Sequence, residues 1–211
     1  MAQHVGANGI QALSTLSLLG LVGFVVPVTA LHGLRPELLP MRTFLSEYAI
    51  GPYRLLWTGA LFGLGLGSLL LCTGLGRTPL ARHRVALALL SVWSLGTIVA
   101  GVFPTDPGGV PVSVRGIIHG VAASVGFLSF VAAALILSVR FGRDPGWRSA
   151  RFPALLLAML ALASMAGFFA APAGLKGITE RAFVLIVITW LAFVSVWLYR
   201  LGQNQSGATY A

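Results

Sequence analysis

Six stretches of this chain contain no Asp, Glu, Lys or Arg: residues 5–34, 55–76, 85–105, 116–139, 152–175 and 182–199. About 20 apolar residues in a helix cross the hydrocarbon core of a bilayer, and each stretch holds one such crossing. Backbone groups in lipid must be paired internally, which leaves only helices or a closed barrel. Barrel strands would be about ten residues long with alternating polarity, and no stretch alternates in that way. The sequence therefore predicts an all-α polytopic bundle with spans at 11–31, 53–75, 85–103, 116–138, 152–172 and 182–200. Only 9% of residues are charged, against about 25% in soluble domains, so a soluble fold is excluded.

The spans make one domain, residues 1–200, followed by a polar tail, 201–211, expected to be flexible. Val28-Thr29-Ala30 has the look of a signal cleavage site, but no Lys or Arg precedes the long first run, which reads as a retained helix. Cys72 is the single cysteine; it makes no internal disulfide and reads as a small buried hydrophobe.

Six spans put both termini on one side, the A face. It carries Arg77, Arg82, Arg84, Arg140, Arg143, Arg148, Arg151 and Arg200 against Asp144 alone, a net charge of +7 of the chain's +9. The opposite B face carries Arg35, Arg42, Arg54, Arg115, Lys176 and Arg181 against Glu37, Glu47, Asp106 and Glu180, a net +2. The positive-inside rule then makes the A face, with both termini, cytoplasmic. The basic loops fit orientation and anionic headgroups rather than nucleic acid. Trp147 and Tyr199 read as interfacial anchors on the A face, and Tyr48, Tyr53 and Trp57 as anchors on the B face.

Small residues let membrane helices approach closely. Gly59, Gly63 and Gly67 in the second span, and Gly116 and Gly120 in the fourth, are expected to pack helices within the chain or against a partner. Pro27 is expected to kink the first span or free a carbonyl.

The B face carries four of the five acids. Its polar cluster comprises His32, Arg35, Glu37, Arg42, Ser46, Glu47, Tyr48, Asp106, Arg115 and His119. His119 lies inside an apolar span, and ionisable groups there face protein or a water-filled cavity. Three chemistries fit. His32, Asp106 and His119 are candidate zinc ligands or acid/base groups, with Ser46 or a water as nucleophile. No H-x-x-x-H, H-E-x-x-H or C-x-x-C spacing supports them. His32 and His119 as axial haem ligands are the second reading. In the third, Arg35 or Arg42 pairs with Glu37, Glu47 or Asp106, the histidines bond to carbonyls, and the first loop is held as a lid. His4 and His83 carry no assigned chemistry.

The strings H-x-L-R-P-E from His32, R-T-F-L-S-E-Y-A-I-G-P-Y from Arg42 and F-P-T-D-P from Phe103, with His119 opening the next helix, resemble a bacterial membrane family known as domain of unknown function 998. The resemblance implies a six-helix integral membrane protein of the bacterial inner membrane and implies no activity. The leading expectation is a non-catalytic accessory or scaffold subunit packed against lipids, other membrane subunits or copies of itself. A membrane-embedded metal-dependent hydrolase or lipid-modifying enzyme on the B face is the alternative. A lipid or small-molecule transporter is the third, with Pro27 its only clear helix break.

Overall fold

The computed structural model describes the backbone of residues 2–207 and the side chains of residues 8–204. Its long helices are α1 (Ala2–Leu34), α2 (Arg54–Leu75), α3 (Arg84–Val102), α4 (Val114–Phe141), α5 (Arg151–Ala170) and α6 (Lys176–Gly207). Among the described residues there is no strand. All six helices are long and apolar enough to cross a membrane, and the chain is a multi-pass integral membrane protein. Helix α6 continues past residue 200 into the expected tail, as far as Gly207. Residues 208–211 of that tail, and the His4 side chain, lie outside the described residues.

Each helix packs on the next and α6 returns to α1, closing a six-membered ring; a smaller contact joins α2 to α6 across its middle. Consecutive elements are usually neighbours in space, which favours this order. Helix α5 shows what drives the packing. It buries Ala154, Ala158, Ala161 and Met165 and turns Phe152, Leu156, Met159 and Leu160 outward. Lipid tails are as apolar as leucine, so burying a large side chain gains little there, and close backbone approach and hydrogen bonds hold the helices together. Ser17 and Ser195 hydroxyls meet at 3.0 Å between α1 and α6. The Trp93 indole donates to Ser68 at 3.1 Å and that of Trp190 to Ser138 at 3.2 Å. Each pairing satisfies a polar group that lipid cannot.

Helices α1 and α2 approach closely through glycines. A Cβ on Gly67 would sit 2.9 Å from the Ser17 carbonyl oxygen, and one on Gly63 3.0 Å from that of Gly20. Gly59 and Gly120, expected on such faces, have open space where a Cβ would go, and Gly116 lies against the Asp106 carboxylate instead of another helix. Spacing alone could not tell these apart, because the rotation of each helix decides which glycine meets a neighbour. Pro27 lies within a continuous α1. Having no N–H, it leaves the Gly23 carbonyl without its helical donor, and that carbonyl lies against Gly63.

Three expected interfacial anchors are core residues instead. Trp147 is 1% exposed and stacks on Phe141 at 4.5 Å between ring centres. Tyr48 and Trp57 are likewise buried. Aromatic residues near a span end pack inward when a loop folds back over the bundle, and both loops concerned do so.

Candidate functional site

The loop between α1 and α2 folds over the B end of the ring as a cap. Its short 3-10 turn, Leu45–Ala49, buries Leu45, Tyr48 and Ala49. A buried loop must still pair its backbone, and α6 supplies the partners. Gly177, Glu180 and Arg181 lie three and four residues apart, so they share one helix face. A Cβ on Gly177 would come within 2.5 Å of the Pro40 and Thr43 carbonyl oxygens, so only glycine lets the cap settle there. The buried Glu180 carboxylate accepts from the Leu45 amide at 2.6 Å. Arg181 Nη1 donates to the carbonyls of Thr43 at 2.6 Å, Pro40 at 3.0 Å and Gly177 at 3.1 Å. Its Nε donates to His32 Nε2 at 3.0 Å. The other ring nitrogen of His32 bonds the Val28 carbonyl at 2.7 Å, so these partners require Nδ1–H and a bare Nε2. The His32 ring also meets Tyr48 edge-on at 5.4 Å.

Arg35 forms an ion pair with Glu37 and donates to the Ile50 carbonyl at 2.6 Å. That guanidinium lies against Gly51, whose φ of +99° suits glycine. The Arg35 hydrogen bond, with a smaller contribution from its charge, holds the exposed Glu37 carboxyl below its ordinary value of 4.5. Glu47 caps the turn by accepting from the Phe44 amide at 3.1 Å. Arg42 and Arg115 are exposed and form no ion pair.

The second B-face loop is organised by Asp106. Its carboxylate accepts from the Ser113 amide and hydroxyl, both at 2.7 Å, and Ser113 in turn caps α4 through the Gly116 amide. An anion at a helix N-terminus also opposes the helix dipole. The two Ser113 bonds, with help from the Arg115 charge, hold the Asp106 carboxyl below its ordinary 3.8. One turn into α4, the buried His119 directs Nδ1 at the carbonyls of Ala100 and Phe103, 3.0 and 2.9 Å away, tying α4 to the end of α3.

His32, Asp106 and His119 thus serve three different junctions. No group of three His, Cys, Asp or Glu side chains among the described residues is placed to hold a metal ion. Of the candidate nucleophile and its partners, Ser46 and His119 do share a cavity of about 60 Å³ beneath the cap, together with Glu180 and Trp57. The Trp57 indole N–H there is buried and has no hydrogen-bond partner. Glu180 and Arg181 are the residues that sequence reasoning left out of the cluster. Their only signal was the Gly177, Glu180, Arg181 spacing at the mouth of the sixth run.

The family model described as "Protein of unknown function (DUF998)" matches residues 18–197. No curated protein and no solved structure matches the chain.

Proposed function

The chain belongs to the DUF998 family, and from that premise we propose that it is a non-catalytic accessory or scaffold subunit of the bacterial inner membrane, with both termini in the cytoplasm. The observation that carries this reading is the adjacent Glu180–Arg181 pair on α6. Between them these two residues take up the Leu45 amide and the Pro40 and Thr43 carbonyls. The charges of Glu180 and Arg181 are engaged with the chain's own backbone, and on this reading they hold the cap as a rigid platform. A rigid platform suits docking, because little ordering entropy remains to be lost on association.

The test is to purify the protein from its native membrane in mild detergent and quantify what accompanies it. A fixed set of membrane proteins at constant stoichiometry is expected. In Arg181→Ala the set should be depleted while the chain still inserts. A chain that purifies alone, or with about one zinc per molecule, would overturn the scaffold reading.

The shared cavity favours a second reading, a hydrolase acting on lipid from beneath the cap. Ser46 would be its nucleophile and His119 its base. A fluorophosphonate probe with an alkyl chain should then label the protein at Ser46 and leave Ser46→Ala unlabelled.

A further inference from the structure

Eight arginines crowd the A face, and none pairs with a carboxylate of the described residues, among which Arg35–Glu37 on the opposite face is the only ion pair. Asp144, the one acid nearby, is buried and accepts the Gly146 amide. Four of the basic side chains do more than share a face. Arg82, His83, Arg84 and Arg140 line one groove of about 260 Å³ between the start of α3 and the end of α4. Its apolar wall includes Val85 and Ile136, and Val85 is 69% exposed on the outer surface of the bundle.

We propose that this groove binds the phosphodiester headgroup of an anionic phospholipid, with an acyl chain running down the α3–α4 wall. The position fits, because Arg84 opens α3 and Arg140 lies in the last turn of α4, which sets the guanidinium groups at headgroup depth. The chemistry fits as well, because guanidinium groups recognise phosphate oxygens by paired hydrogen bonds. Lipid is favoured over a free anion because one wall of the groove is apolar and faces the hydrocarbon. His83 stands among these charges on the groove wall. Partial burial, followed by the fields of Arg82, Arg140 and Arg143, holds its pKa below the ordinary 6.5. Any phosphate entering the groove would relieve that crowding.

Native mass spectrometry of the full chain in detergent tests the site, with dioleoylphosphatidylglycerol and dioleoylphosphatidylcholine as probes. The anionic lipid should bind about tenfold more tightly than the zwitterionic one. That preference should vanish in the triple variant Arg82→Gln, Arg84→Gln, Arg140→Gln. It should survive in Arg148→Gln, Arg151→Gln, Arg200→Gln, which removes the same charge from the same face outside the groove. Equal loss in both triples would show a face-wide field and overturn the site, as would a preference retained in the groove triple. Displacement of the lipid by excess inorganic phosphate would make the ligand a free anion and overturn the lipid assignment. Should the groove triple fail to insert, Arg140→Gln is compared with Arg148→Gln. Loss in the first alone supports the site, and any other result overturns it.

Discussion

Glu180 accepts a 2.6 Å hydrogen bond from the Leu45 amide, joining the first turns of the last helix to a loop 135 residues earlier in the chain. Both partners are buried. The amide belongs to the first residue of the 3-10 turn, where no helical carbonyl is available to it. Replacing Glu180 by Ala leaves this N–H unsatisfied, at a cost of about 1–3 kcal/mol. Glu180→Gln keeps an acceptor oxygen and should lose less. Thermal unfolding of the two variants in detergent, compared with the parent, checks the order.

Arg181 is the heavier element of the clamp. Arg181→Ala should cost about 2–4 kcal/mol, because it strips the carbonyls of Pro40 and Thr43 and the His32 ring nitrogen of their donor. Arg181→Lys should recover only part of this, since one ammonium cannot reproduce the planar fork. Limited proteolysis within residues 36–44 reports the loosening of the cap directly.

Arg35 and Glu37 form an ion pair, yet they should behave differently. Arg35 is largely buried and also holds the Ile50 carbonyl, while Glu37 is 58% exposed. Arg35→Ala should lower the melting temperature clearly, whereas Glu37→Ala should change it little, as exposed pairs contribute little. Equal effects would show that the ion pair, rather than the Ile50 bond, holds that end of the cap.

The glycines of α2 make a sharper contrast. Gly67→Ala would drive a methyl group into the Ser17 carbonyl, while Gly59→Ala would enter open space. The first should destabilise by about 1–3 kcal/mol through overpacking. The second should be neutral or slightly stabilising, since alanine favours helix over glycine. Detergent melting curves of the two single variants decide it.

Acid should weaken the second B-face loop. The Asp106 carboxyl is held below its ordinary 3.8 by bonds from Ser113. A folded-state pKa lowered in this way adds stability that is fully present above the unfolded value. That stability is lost as pH falls through the lowered one. Unfolding measured between roughly pH 2 and 5 should therefore show an acid limb that is flatter in Asp106→Asn.

Much of the helical layout was legible before any coordinates. Charge-free runs bounded by arginines mark where a helix enters and leaves lipid, and α2 and α3 begin and end within a residue of the expected limits. The cluster on the B face was legible as a list of residues. One reading of it has the histidines on carbonyls and Arg35 paired with Glu37, as found. Which carbonyls, and what Asp106 would bond, were not legible. Both histidines turn to backbone carbonyls, and Asp106 turns to Ser113 rather than to an arginine. Such bonds leave no mark in the sequence, because every residue has a carbonyl and nothing local says which one will be within reach. Arg181 was missed for this reason, since its main partners are backbone oxygens of a loop about 140 residues away.

The sequence by itself determined that this chain lives in a bilayer, crosses it six times and gathers most of its positive charge at one end. Those features follow from the cost of exposing charge or an unpaired backbone to hydrocarbon, which acts on every segment separately and so can be read segment by segment. Only the tertiary structure decided that α1 meets α2 through Gly20 and Gly67, that Tyr48 and Trp57 turn inward, and that Glu180 and Arg181 hold the cap. These outcomes depend on how each helix rotates about its own axis and where a loop folds back. Lipid sets no preference among apolar faces, so close packing and the pairing of buried backbone make that choice once all six helices are together.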